Sequence, residues 1–342
     1  MTTSPLRPVL LAAGLALGAA LPAAAQEFTL RLHSFSSAAS LDHTAHIDRW
    51  AETIEAESDG RIAVQVFPAM SLGGAPSDML QQLDDGVVDI IWTIAGFNPE
   101  RFAGTQGLEL PFINTGKSAT MSPAAMEFIL THLEPEFEGL KVIAVHATDA
   151  SLIHTRDKPI RTMEDFQGMQ LRVAGRFIGE MVRALGATPV AIPLGGIYEA
   201  VSRGQVDGML INWAITQPYR FYEVTNYHVD YPFFQSMLMT LMSQASYDRL
   251  PPDLQAVIDA NSGIEYATRM GEIWDTATEP AREATRANGN TLIELEPEEL
   301  ERWRVAVQPA YDAWIAEMDS RGYDGAALFE ALTEITARHG AD

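Results

Sequence analysis

The chain has 342 residues, with 46 acidic against 23 basic side chains and a formal net charge of -23; the isoelectric point is near 4.6. A field of that sign repels nucleic acid and anionic lipid, so neither is an expected partner. No cysteine is present, which excludes disulfides and a lipid-modified N-terminal cysteine.

In chain order, Arg7 precedes an apolar run over residues 9–21 and then Ala23-Ala24-Ala25 before Gln26. This pattern predicts a secretory signal over residues 1–25, cleaved near Gln26 to free the protein into a bacterial periplasm. The run is too short for a bilayer span, which needs about 20 apolar residues, and no membrane insertion is expected.

Residues 28–92 and 169–211 share one layout: a short apolar strand containing Leu-Arg, a helix closed by Gly, a strand ending near Pro, Leu-Gly-Gly, a helix, then Gly-x-Val-Asp and a buried strand. The copies read Leu30-Arg31-Leu32, Leu72-Gly73-Gly74 and Gly86-Val87-Val88-Asp89, then Leu171-Arg172-Val173, Leu194-Gly195-Gly196 and Gly204-Gln205-Val206-Asp207. Each copy predicts a β-α-β-α-β unit with right-handed crossovers and a mostly parallel sheet. Two such units imply an α/β chain of two domains with a cleft between them. Ligands bind such sheets outside the carboxyl ends of the strands.

Between the copies the pattern predicts a helix from Pro123 to about Leu133 and an apolar strand over residues 142–146. The polar stretch at 147–150 then reads as a crossing into the second domain. After the second copy, the apolar residues Met237, Leu238, Met239, Leu241 and Met242 form a strand that can return to the first. From Pro251 to about Ala287 the spacing predicts one helix of about 50 Å. A short strand over 292–295 and helices over 297–318 and 325–338 complete the chain. The domains are expected at 27–149 plus 237–276, and at 150–236 plus 277–342.

No dinucleotide or phosphate-loop glycine motif, no His-Glu-x-x-His and no Gly-x-Ser-x-Gly occurs in the chain. Neither a nucleophile with a recognisable base nor a cofactor motif is evident, which weakens enzyme readings. His43 and His46 sit three apart near Asp48 without an evident third ligand, so no metal is expected.

Arg172 is the principal candidate for a binding residue. A guanidinium between Leu171 and Val173 either reaches the cleft or is stranded at several kcal/mol of desolvation. Its planar fork of donors fits a carboxylate in bidentate fashion. The alternative is a local salt bridge, for which Asp165 is available; Arg31, read as the matching residue of the first copy, suits that role better. Arg176 offers a second donor set or a solvent-facing charge. Asn212, Trp213 and Trp92 fall at the carboxyl ends of matching strands, where aromatics serve either ligands or interdomain packing. Phe35 and Tyr198 are weaker candidates on the same argument, and His33, on a strand end of the first copy, either touches a ligand or makes a polar contact between domains.

The stretches Leu72-Gly73-Gly74, Gly86-Val87-Val88-Asp89-Ile90, Leu110-Pro111-Phe112, Phe166-Gln167-Gly168-Met169-Gln170-Leu171-Arg172-Val173, Leu185-Gly186-Ala187-Thr188-Pro189 and Gly204-Gln205-Val206-Asp207-Gly208 resemble the solute-binding proteins of tripartite ATP-independent periplasmic (TRAP) transporters. The resemblance covers nearly all of the mature chain. It implies two α/β domains of the periplasmic binding protein fold, strands crossing between them and a long C-terminal helix spanning both. It also implies capture of a small organic acid by domain closure and delivery to TRAP membrane permease subunits, with Arg172 gripping the carboxylate. Relatives with sialic acid or dicarboxylate ligands carry a further Arg where this chain has Leu152, and Glu-Asn where it has Leu210 and Ile211. Those departures point to an aromatic or apolar monocarboxylate. A small dicarboxylate using Arg176, and a sensory rather than transport role, are the alternatives.

Overall fold

The computed structural model describes residues 26–114 and 116–341; the expected signal segment lies outside them. Among the described residues, eleven strands form two sheets. In the first sheet, β1 (Phe28–Ser34), β2 (Ile62–Phe67), β3 (Ile90–Ile94), β4 (Leu140–Ala147) and β10 (Met237–Ser243) take the order β2-β1-β3-β10-β4. In the second, β5 (Ser151–Thr155), β6 (Gln170–Val173), β7 (Thr188–Ala191), β8 (Gly208–Asn212), β9 (Tyr227–Phe234) and β11 (Thr291–Ile293) take the order β11-β9-β5-β8-β6-β7. Helices flank both, which is the two-domain periplasmic binding protein architecture that the repeated units predict.

The duplication is visible in the pairing. β1 lies between β2 and β3 in parallel, as β6 lies between β7 and β8. In each sheet the next strand is antiparallel and comes from outside the copies: β10, which follows the second copy in the chain, beside β3, and β5, which precedes it, beside β8. One strand from outside each copy has been exchanged, so the chain passes between lobes after β4 and again after β9, before the helices described below. The passages touch: Thr148 N donates to Ser236 O at 2.9 Å, and Gln235 Nε2 to Thr148 O at 2.7 Å.

The repeated Gly-x-Val-Asp has one physical purpose in both copies. Gly86 and Gly204 each adopt φ +69°, a left-handed turn that closes the preceding helix. The Asp that follows receives a backbone N–H from the neighbouring strand: Arg31 N to Asp89 Oδ2 at 2.8 Å, Gln170 N to Asp207 Oδ2 at 2.7 Å. That equivalence corrects the alignment read from the sequence. Arg31 matches Gln170, and the residue in the position of Arg172 is His33, with His33 paired to Ile91 and Arg172 to Met209 in the strand register. Arg31 forms the local ion pair instead, at 3.3 Å to Asp89.

The expected single helix from Pro251 is two, Pro252–Ala260 and Gly263–Ala287, broken where Ser262 is extended and Gly263 takes φ +86°. The 25-residue second helix is about 37 Å long. Its Tyr266, Ala267, Met270 and Trp274 pack in the first core, while Ala281 packs on Leu152 and Trp213 in the second lobe. The expected helix over 297–318 likewise divides into Pro297–Ala306 and Gln308–Ser320. Trp303 and Val307 enter the second core, but Trp314, Met318, Leu328 and Leu332 enter the first. The C-terminal segment therefore returns to the first lobe, contrary to the expectation that residues 277–342 belong to the second. Trp314 donates its Nε1 proton to Ala103 O at 3.0 Å and lies where a Cβ on Gly107 would be 2.4 Å away, so that glycine makes room for the indole.

Candidate functional site

β6 is a four-residue strand at the centre of the parallel part of the second sheet. Its Arg172 is 7% exposed. The guanidinium reaches the carboxyl ends of both neighbouring strands, donating from Nε to Ile192 O at 2.9 Å and from Nη1 to Leu210 O at 3.4 Å. Nη2 makes no hydrogen bond, and the group no ion pair, among the described residues. Asp165, the expected local partner, instead accepts Arg161 N at 2.9 Å and Thr162 N at 3.0 Å. Burial lowers the Arg172 pKa to about 10, which leaves it charged at neutral pH. Two carbonyl dipoles position this cation without neutralising it.

The corresponding ends of the first sheet are aromatic. Phe35 stacks on Trp92 with centroids 4.9 Å apart and meets Phe97 edge-on at 5.0 Å. His33 is fully buried; its Nδ1 bonds Gln82 Oε1 at 2.7 Å, and its Nε2 has no partner among the described residues. Trp92 Nε1 is also sealed without a partner.

Between the lobes lies a pocket of about 180 Å³. The segment after β1 supplies Ser37, Ala39, Ser40, Leu41 and Asp42; the turn after β8 supplies Ala214, Ile215, Pro218 and Tyr219; the long helix supplies Trp274. The turn after β8 is anchored on the first crossing: Asp149 accepts Asn212 Nδ2 and, at 2.9 Å, Ala214 N. Burial raises the Asp149 pKa to about 7.

Several sequence candidates sit elsewhere. Trp213 is 2% exposed, edge-on to His154 at 5.1 Å and against His228 at 5.4 Å; it is interior packing, and the pocket begins one residue later. Asn212 is spent on Asp149. Arg176 pairs with Glu317 on the helix Gln308–Ser320 and lies over the Phe177 ring at 4.4 Å, which corrects the expectation of a second clamp. Tyr198 donates to Glu223 Oε2 at 3.2 Å. Leu152, where relatives carry Arg, packs on Trp213. The sequence reading missed Asp42, Tyr219 and Trp274. Asp42 opens the first copy's first helical segment, where an acidic residue is ordinary, Tyr219 lies beyond the second copy, and Trp274 reads as one more apolar position of a helix.

Among the described residues, no group of three or more His, Asp or Glu is placed to hold a metal, and no helix is long and apolar enough to cross a membrane.

Residues 33–317 match the family model for bacterial extracellular solute-binding proteins, family 7. A marine metagenome TRAP solute-binding protein specific for aromatic acid ligands, in complex with metahydroxyphenylacetate, superposes with a TM-score of 0.87 at 34% identity, over 92% of this chain and 99% of that one. The chain belongs to the TRAP solute-binding proteins. A second such protein, from Rhodoferax ferrireducens T118 with copurified benzoate, gives a TM-score of 0.86 at 33% identity over 92% and 98%. The outer membrane transporter protein TsaT of Comamonas testosteroni is 26% identical over 91% of this chain and 93% of its own. As a TRAP solute-binding protein, its partners are a small organic acid and the membrane permease subunits that receive it, and its family is periplasmic.

Proposed function

We propose that this protein captures an aromatic monocarboxylate in the periplasm, after cleavage of its N-terminal signal near Gln26, and carries it to a TRAP permease without altering it. The observation that carries the reading is Arg172: a buried cation with no anion beside it, at the carboxyl ends of the second sheet's parallel strands; in this reading the Phe35, Trp92 and Phe97 cluster at the matching end of the first sheet is the other wall of the site. A carboxylate completes the unsatisfied side of the guanidinium, and the rings receive an apolar body. Closing the lobes over an empty site strands the charge, while closing them over a ligand pairs it, so the ligand favours closure through its differential affinity for the closed state. The aromatic acids held by the two relatives at 33–34% identity support the same ligand class. The dicarboxylate alternative loses its second clamp, because Arg176 is engaged by Glu317.

Isothermal titration with benzoate, phenylacetate, succinate and sialate tests this. The expected result is binding of the two phenyl acids and none, or at least a hundredfold weaker binding, of the other two, a difference of about 2.7 kcal/mol. Tight succinate or sialate binding with no phenyl acid bound would refute it, and a ligand recovered chemically changed after incubation would refute the non-catalytic role.

A further inference from the structure

Arg172 is held from the carboxyl end of β8, and that strand end is itself held. Leu210 O accepts Arg172 Nη1 at 3.4 Å, and the next carbonyl, Ile211 O, accepts His154 Nε2 at 3.0 Å. His154 is on β5, and its Nδ1 lies 2.6 Å from Nδ1 of His228 on β9. His228 Nε2 lies 3.0 Å from Nδ2 of Asn290, in the turn between the long helix and β11. The two rings are at most 1% exposed, and every one of their nitrogens has a partner. His33 and His46, equally buried, each leave Nε2 without one among the described residues.

The groups at the two ends dictate where the protons are. A carbonyl can only accept, so His154 carries its proton on Nε2. The Asn290 amide nitrogen can only donate, and its orientation is set by three neighbours: Tyr222 O at 2.9 Å and Thr225 O accept from Nδ2, and Asn288 Nδ2 donates to Oδ1 at 2.9 Å. His228 Nε2 is therefore the bare acceptor and its proton is on Nδ1. That Nδ1–H donates to the bare Nδ1 of His154, and the three bonds run head to tail from Asn290 to Ile211. A proton added to His154 sets two N–H groups face to face, and one added to His228 points at the Asn290 amide hydrogens. Burial lowers the two pKa values to about 4 and about 2, so both rings are neutral at neutral pH.

A completed buried polar chain specifies one arrangement of the groups at its ends. Here one end is the turn after the long helix, and the other is the carbonyl beside the one that orients the guanidinium. We propose that His154 and His228 are positioning residues of the binding site: a one-way relay of neutral imidazoles that fixes the end of β8 and, through the Leu210 carbonyl, the direction of the Arg172 fork. This rests on the reading of Arg172 as the carboxylate clamp.

Two measurements on the full mature chain test it. In proton–nitrogen correlation spectra of ligand-free protein labelled at the histidine nitrogens, at neutral pH, His228 shows the Nδ1–H tautomer and His154 the Nε2–H tautomer. The other tautomer at either ring, or a protonated ring, overturns the relay, and this readout needs no variant to fold. Calorimetry with benzoate and phenylacetate reads the positioning. His154→Phe keeps a ring and removes the donor, and weakens the tighter-binding acid about five- to tenfold. His154→Gln, whose amide gives Ile211 O a donor and His228 an acceptor, restores most of that loss. In an Arg172→Lys background, which has no planar fork to direct, His154→Phe costs less than about twofold further. No loss in His154→Phe, or a loss of the same factor in both backgrounds, reduces the pair to core packing and overturns the proposal while leaving Arg172 as the clamp. Binding of neither acid by the wild type, or undiminished binding by Arg172→Ala, overturns that reading and this proposal with it.

Discussion

Arg172 shows how far a single residue can be read. From sequence, a lone Arg between apolar neighbours on a short strand means either a local salt bridge or a site, and those two outcomes have the same pattern. What decides between them is the whereabouts of carboxylates, and Asp165 turns out to be occupied by Arg161 and Thr162 backbone. The guanidinium is fixed through Nε and Nη1 to two carbonyls, which orients the fork before any ligand arrives. An ammonium has no fixed fork to orient this way. Arg172→Lys should therefore weaken binding of a phenyl acid by about tenfold even though the charge is kept, and Arg172→Ala by a hundredfold or more, as for one partner of a desolvated charge pair. Both are read by calorimetry, and equal loss in the two variants would mean that charge alone, not the planar fork, holds the ligand. The aromatic candidates were less legible. Trp92 and Trp213 read from sequence as ending matching strands, yet Trp92 is the middle residue of β3 and meets the Phe35 stack, while Trp213 follows β8 and meets the His154 and His228 pair. A Trp at a strand end can point to either side of the sheet, and neighbouring residues from distant segments set which.

At the scale of elements, the repeated units were legible because glycine and aspartate are required by backbone geometry in each copy, and geometry leaves a sequence mark. The helix divisions were not. Ser262-Gly263 interrupts an otherwise continuous helical pattern, and only the extended Ser262 and the φ of +86° at Gly263 reveal the break. The contact that fixes the long helix was equally hidden. A Cβ at Gly271 would sit 2.2 Å from Ser118 O and 2.7 Å from Ser122 Oγ, so the glycine sets how closely Gly263–Ala287 approaches Ser118–His132. Gly271→Ala adds roughly 1 kcal/mol of helix propensity but forces the two helices apart, a repacking that costs about 1–3 kcal/mol and occasionally more. The second effect should win, with net destabilisation in urea unfolding. A more stable variant would show that the helix pair slides freely. Because this helix touches both cores, the same substitution should also weaken ligand-driven closure.

The whole molecule carries two opposed sets of buried titratable groups. Burial lowers His146 and His154 to about 4 and His228 to about 2, and lowers His46 well below its usual value. Around pH 6.5 and below, the unfolded chain protonates these histidines and the folded one does not, so stability is lost as pH falls from about 6.5 towards 4. Burial raises Asp42, Glu109 and Asp149 to about 7. Between about pH 4 and 7 the folded chain keeps protons there that the unfolded chain releases, so this set loses stability as pH rises. The two trends oppose each other over pH 4.5–6.5 and leave a plateau. Above it the histidines are neutral in both states, and the carboxyl trend acts alone until those groups ionise. Urea unfolding of ligand-free protein should therefore show maximal stability near pH 5–6.5 and a decline through about pH 8. Glu109 is the cleanest probe of that alkaline limb. Its Oε1 accepts Met237 N at 2.8 Å where the second crossing enters the first sheet, and Gln at that position keeps the acceptor without the titration. Glu109→Gln should flatten the decline by up to about 1.4 kcal/mol per pH unit, the slope of one proton. Parallel stability curves for variant and wild type between pH 6.5 and 8 would show that Glu109 is ionised in both states, and that the joint between the lobes already accommodates its charge.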